Sequence, residues 1–281
     1  MKLGFVLPNN WGLPNPADVI ALAVEADERG VESVWVNHHV LNIGYIADRL
    51  DDRPYYDALT VLTFVASRTE RVKLGTSVLV LPYLHPMALA KALATIDHLS
   101  GGGRLIAGLG VGGLPEENEA LGVIWDERGP WSDEFIEVMN SLWQPGPATY
   151  AGKHFGMDGL MAAPKPVAAD GTIETWIGGG GAAARRRAAR YGRGWHPLSD
   201  LDSFGPRVPK MVAALEVEGR SRDSLTIAPR VEIANLPDAA AVEAFGRAGA
   251  DQVIVNVGTS SLDELRAGLA HVARLQAETE R

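Results

Sequence analysis

One phrase recurs along this chain: the end of a helix, a glycine, then a new apolar run. That repetition restricts the fold more than any other feature of the sequence. It stands at Gly30-Val31-Glu32-Ser33-Val34-Trp35, Gly103-Arg104-Leu105-Ile106, Gly192-Arg193-Gly194-Trp195 and Gly249-Ala250-Asp251-Gln252-Val253-Ile254. Glycine takes the left-handed position that closes a helix, and serial right-handed βα units need such a joint before each new strand. The apolar runs predict strands over 2–7, 31–37, 72–81, 104–109, 174–178, 194–197, 225–234 and 251–257. Helix-like segments fall between them, at 17–29, 57–67, 86–99, 132–142, 182–191, 208–218, 239–248 and 262–275. About eight βα units in one domain, 1–281, predict an α/β fold, a single TIM (β/α)8 barrel. An open doubly wound sheet would carry a phosphate-binding glycine turn after its first strand. Here that place holds Pro8-Asn9-Asn10-Trp11. Three stretches are too long for simple joints, 38–56, 114–131 and 144–173, giving insertions after strands 2 and 4 and before strand 5. The first two are expected to line the mouth; the third fits a covering flap and a binding element equally.

Composition narrows the function. At 281 residues and 46% hydrophobic content the chain can bury a large core. A formal charge of −9 argues against nucleic acid as a partner, since phosphate contacts need clustered Lys and Arg. With no cysteine there is no thiolate nucleophile, so redox chemistry must come from a bound cofactor. No apolar run approaches a membrane span and the start lacks a signal-peptide core, so a cytoplasmic location is expected.

The densest stretch is 72–113. Its first strand lacks polar alternation, as in a parallel sheet buried on both faces. Leu89, Ala92, Leu93, Ile96 and Leu99 then fall at helical spacing behind Pro86. The following run breaks at Gly110-Val111-Gly112-Gly113, where small residues let a ligand approach the backbone. Gly178, Gly179, Gly180 and Gly181 precede an alanine-rich helix, and read either as amides free to hold a phosphate or as a plain joint. Arg185, Arg186, Arg187 and Arg190 read as a solvated outer face. His38 and His39 close the second strand; neighbours on a strand face opposite ways, so they do not make a metal pair, and no metal is expected. Glu116 and Glu117 follow Pro115 in a helix's first turn and read as structural. His196 is a strand-end candidate; His85, His98, His154 and His271 read as packing or surface residues. Trp11, Trp125 and Trp131 fall in mouth loops, as ring stackers or as anchors, and Trp35 and Trp143 read as core.

The strings GTSVL from Gly75, HP at His85, LATIDHLSGG from Leu93, GLGVGG from Gly108 and WIGGGGAAARRRAARYGRGWHP from Trp176 resemble the luciferase-like monooxygenase superfamily, and within it the coenzyme F420-dependent oxidoreductases. The resemblance spans essentially the whole chain. It implies hydride transfer between coenzyme F420 and a small organic substrate, in the cytoplasm, by a homodimer, with a separate flavin or F420 reductase as a possible partner. It implies that Gly110, Val111 and Gly112 run under the cofactor ring and ribityl chain, and that Gly178 to Gly181 form the phosphate loop. A non-proline cis bond is implied at Ser77-Val78, forming a bulge against the ring. The family's Asp-His pair falls on His38 and His39, which implies a cofactor contact for His38 and the catalytic role for His39. Sugar-phosphate dehydrogenases of the family carry a glutamate proton donor where this chain has Gly113, which argues against that activity. The rival readings are an FMN-dependent two-component monooxygenase, a flavin-binding protein without turnover and a metal-dependent barrel hydrolase, the last disfavoured by the histidine spacing.

Overall fold

The computed structural model describes residues 1–168 and 170–280. Its strands are β1 (Lys2–Val6), β2 (Ser33–Val36), β3 (Lys73–Thr76), β4 (Leu79–Val80), β5 (Leu105–Gly110), β6 (Ala148–Ala151), β7 (Gly156–Leu160), β8 (Glu174–Gly178), β9 (Gly194–His196), β10 (Thr226–Ile227), β11 (Arg230–Glu232) and β12 (Gln252–Asn256). The main sheet runs β10-β9-β8-β5-β3-β2-β1-β12-β11, all parallel, with β4 continuing β3 along β5. Its two ends are halves of one strand, because β10 pairs with β9 and β11 with β12. Between them the Ala228 N–H donates to Trp195 O at 2.9 Å, and Pro229 O accepts from Ile254 N–H at 2.9 Å. The sheet therefore closes on itself as a barrel. Expected strand 225–234 is broken at Pro229, which has no N–H to give a ladder. Expected strand 72–81 is interrupted at the cis Ser77–Val78 bond.

Inside the barrel, Trp35 and Trp176 pack with Val6, Ile106, Ala228 and Ile254, the two indoles lying 4.9 Å apart between ring centroids. Two indoles fit because the strands facing them carry glycine: a Cβ at Gly75 would run into Trp35, and one at Gly194 into Trp176. Outside, the helices lay apolar stripes on the sheet. In Leu262–Thr279, Leu265, Leu269, Val272 and Leu275 are buried at helical spacing behind the Ser261 N-cap, whose hydroxyl accepts from Glu264 N–H. Burying each such side chain contributes about 1.5–3 kcal/mol. The same helix brings Gln276 under the barrel: its Oε1 accepts from Leu3 N–H (2.9 Å) and Glu32 N–H (3.2 Å), and its Nε2 donates to Gly30 O (2.7 Å). None of the helices among the described residues is long and apolar enough to cross a membrane.

The third insertion folds as an antiparallel hairpin, β6 with β7, paired only with itself. His154 anchors it, 2.9 Å from Glu134 through Nδ1 and 2.9 Å from Glu127 through Nε2. Trp131 belongs to the helix Arg128–Trp143 and packs on Phe135 and Phe155, so it is an anchor. Trp125 lies under the Arg128 guanidinium, 3.5 Å from its ring centroid. Arg187 departs from the expected outer face, being buried and paired with Asp133 at 2.6 Å.

Candidate active site

Side chains two apart on a strand share a face, so each inward core residue has a partner one layer higher. From Trp35, Trp176, Gly194, Ala228 and Ile254 the chain reaches Asn37, Gly178, His196, Arg230 and Asn256. The upper layer is polar or bare, and its Asn37, Gly178 and Arg230 floor a cavity of about 540 Å³ at the C-terminal end of the strands. His38, His39, Ser77, Val78, Gly110, Val111, Gly112, Gly178 and Gly179 all line it, and Gly180 and Gly181 continue from its rim. The first two insertions add Tyr45, Arg49, Tyr55 and Leu114.

The floor is one hydrogen-bonded chain. Asn9 fixes the end of β2 by accepting from Asn37 N–H (2.9 Å) and donating to Asn37 O (2.8 Å). The Asn37 side chain donates to Asn10 Oδ1 (3.0 Å) and accepts from Arg230 Nη1. Arg230 Nη1 also reaches Ser77 Oγ at 3.2 Å and Ser77 O at 3.3 Å. Ser77 Oγ lies 2.9 Å from His196 Nε2, and His196 Nδ1 lies 2.7 Å from Ala228 O. A carbonyl can only accept, so Nδ1 carries the proton and Nε2 accepts from the serine. Burial pushes His196 down to about pKa 4 and lowers Arg230 as well. Above this floor Val78 faces two glycines. A Cβ at Gly110 would stand 2.6 Å from its Cγ2, and one at Gly178 would stand 2.8 Å from its Cγ1.

The two histidines have separate surroundings. His38 is buried, and its Nδ1 accepts from Val80 N–H at 3.1 Å, which leaves the proton on Nε2. Burial lowers its pKa to about 4. His39 Nδ1 bonds Glu117 Oε2, while its Nε2 stands 3.1 Å from Tyr45 Oη. Glu117 is 0% exposed, and its Oε1 accepts from Val40 N–H (2.7 Å) and Leu41 N–H (3.0 Å). Burial pushes this carboxyl up, but the His39 ring and the two amides together hold it below the usual range. Glu117 sits in the first turn of the helix Pro115–Ala120, as expected, and its side chain reaches across to fix the histidine loop. Arg230 and Arg49 were not anticipated. Their signals were slight, a charge two residues beyond a core alanine and one of two arginines in a mouth loop.

At the other side, Gly181 opens the helix Ala182–Tyr191 with no side-chain cap. Gly179 has φ +102°, and Trp195 Nε1 holds its carbonyl at 2.8 Å. A Cβ at Gly180 would meet the Arg207 guanidinium at 2.8 Å. Uncapped amides, a bare loop and an adjacent cation fit the phosphate end of a flavin-type cofactor. Among the described residues no group of His, Asp and Glu stands as a metal requires.

The sequence profile described as luciferase-like monooxygenase matches residues 1–281. A Mycobacterium tuberculosis protein carrying the name of a coenzyme F420-dependent oxidoreductase is 31% identical over 260 residues, 86% of this chain and 69% of that one. An F420-dependent glucose-6-phosphate dehydrogenase of Kineococcus radiotolerans is 28% identical over 218 residues, and the alignment covers 75% of this chain but only 61% of that enzyme. Among solved structures, an F420-dependent secondary alcohol dehydrogenase in complex with an F420-acetone adduct superimposes with TM-score 0.82 at 17% identity, covering 99% of this chain and 98% of that one.

Proposed function

The chain belongs to the luciferase-like monooxygenase family, and from that premise we propose that it is an oxidoreductase that uses coenzyme F420 to move a hydride to or from a small organic substrate. The observation that carries this reading is the convergence of the start of the bare loop at Gly178 and Gly179, of Ser77 and Val78, and of the His39–Glu117 pair on one cavity. The bound deazaflavin would supply the hydride chemistry. The chain's own residues hold and orient it: Gly178, Gly179, Gly180 and Gly181 with Arg207 at the phosphate, and Gly110, Val111, Gly112, Ser77, Val78 and His38 along the ring. His39 handles the substrate proton at Nε2, since Glu117 keeps its Nδ1 protonated and Nε2, beside the Tyr45 hydroxyl, is the nitrogen turned to the mouth. We read residues 1–281 as one cytoplasmic barrel domain. Its homodimer would be served by the apolar cleft of about 1040 Å³ between the helices Pro16–Glu28 and Ala58–Ala66, where Phe64 is 62% exposed. A separate reductase would recycle the cofactor.

The second reading, an FMN-dependent two-component monooxygenase, is favoured by the family's own description. Titration with F420, reduced F420, FMN and reduced FMN separates the two. The first reading expects tight F420 binding and substrate-dependent bleaching of its absorbance. Tight binding of reduced FMN alone, followed by oxygen uptake, would replace it with the second. Tight binding without turnover on a broad substrate panel would leave a flavin-binding protein.

A further inference from the structure

Buried donors without acceptors gather along one wall of the mouth and the floor beneath it. Arg49 Nε, Tyr55 Oη and Arg230 Nε are buried, have no hydrogen-bond partner, and belong to residues lining the cavity. A fourth, Trp11 Nε1, belongs to the ring that lies 4.5 Å beneath the Arg49 guanidinium. Folding buries polar groups where something satisfies them, and unmet charged donors are the costliest to leave. Neither arginine has a carboxylate within 4 Å among the described residues. Arg230 spends Nη1 on neutral acceptors, Asn37 and Ser77. Glu232, on the same wall, is occupied with Asn256 Nδ2 through both oxygens, at 3.0 and 2.8 Å. Glu117 is occupied with His39, Val40 and Leu41.

We infer that this wall is an anion subsite, in which Arg49 and Arg230, with the Tyr55 hydroxyl, receive a carboxylate carried by the substrate. The inference rests on the cofactor reading, which assigns the opposite wall to the cofactor's phosphate. Round the closed sheet β8 stands four strands from β1, so the glycine loop after β8 and Trp11 after β1 face each other across the mouth. The carboxylate wall is also the histidine wall. Tyr45 and Tyr55 both present edges to His39, with ring centroids 6.0 Å away, and Arg49 belongs to the same insertion. A substrate anchored there by its carboxylate puts its neighbouring carbon beside His39. Planar guanidinium forks suit a carboxylate better than a neutral amide of the same shape.

Benzoate and benzamide, nearly isosteric and differing in charge, are the probes. Each is titrated by ligand-observed NMR into cofactor-free protein and into protein saturated with F420, with F420 affinity measured on the same samples. Benzoate is expected to bind roughly tenfold tighter or more. Arg49→Gln and Arg230→Gln should each remove most of that preference, with thermal melting showing that the variants remain folded. Equal affinity for the two probes overturns the subsite, and so does a preference that survives in the double variant. Loss of F420 affinity in the variants with an unchanged benzoate preference gives the donors to the cofactor instead. An arginine-dependent benzoate preference in a protein that binds neither F420 nor FMN leaves the subsite standing and removes the cofactor reading alone.

Discussion

His39 and Glu117 act as a unit, since the carboxylate fixes which imidazole nitrogen carries the proton. General acid–base help is worth about 10²–10⁴-fold, so His39→Ala should lose at least about 10²-fold in turnover while still binding cofactor. Glu117→Gln presents either an amide donor or a neutral acceptor to Nδ1, and its loss should approach that of His39→Ala. In the double variant the losses should not add, because both act through one proton. Additive losses measured by steady-state kinetics would show that Glu117 only braces the loop. Much at this scale was legible: each residue to which the resemblance gives a cofactor or catalytic role either lines the mouth or continues from its rim. Glu117 was not, because an acid in a helix's first turn already has a sufficient explanation in the helix dipole. Only the loop conformation reveals that its oxygens are claimed by His39, Val40 and Leu41. Arg230 could have been found by counting two residues on from Ala228, had Pro229 been read as a break inside the strand.

Among elements, the loop after β8 carries the sharpest test. Valine at Gly180 would push the Arg207 guanidinium aside and restrict backbone that leads into the uncapped helix. Gly180→Val should therefore weaken cofactor binding at least about tenfold, the equivalent of one charge-assisted hydrogen bond, with the fold retained. Fluorescence titration with F420 and FMN checks it; unchanged affinity for both makes the loop a simple joint. Helices were legible to within a few residues, and Ala182–Tyr191 lies where its spacing put it. Apolar runs show where a strand passes but not where its ladder stops, which is why β3–β4 and β10–β11 each read as one element.

For the whole molecule, two neutral histidines beneath the mouth tie stability to pH. Burial holds His38 and His196 near pKa 4, whereas an unfolded histidine titrates near 6.5. Below pH 6.5 the unfolded chain takes up protons that the folded chain refuses. Stability present above that pH is therefore lost progressively toward pH 4, by about 2 kcal/mol for each ring at pH 5. Asp27 and Glu117, both held below their ordinary values, add a further loss as the pH falls through the carboxylate range. Urea denaturation at pH 7.5 and 5.0 should show the drop, and His196→Asn should roughly halve it; an unchanged drop in that variant assigns it elsewhere. The barrel's closure also sets a schedule for the chain's synthesis. Leu3 leaves the ribosome long before Gln276, the side chain that accepts from its amide, and before β12, the strand that covers β1. Until β12 follows, β1 carries an open edge, of the kind that templates mispairing. The nascent chain must be kept from its neighbours until β12 and the helix Leu262–Thr279 arrive to seal that edge.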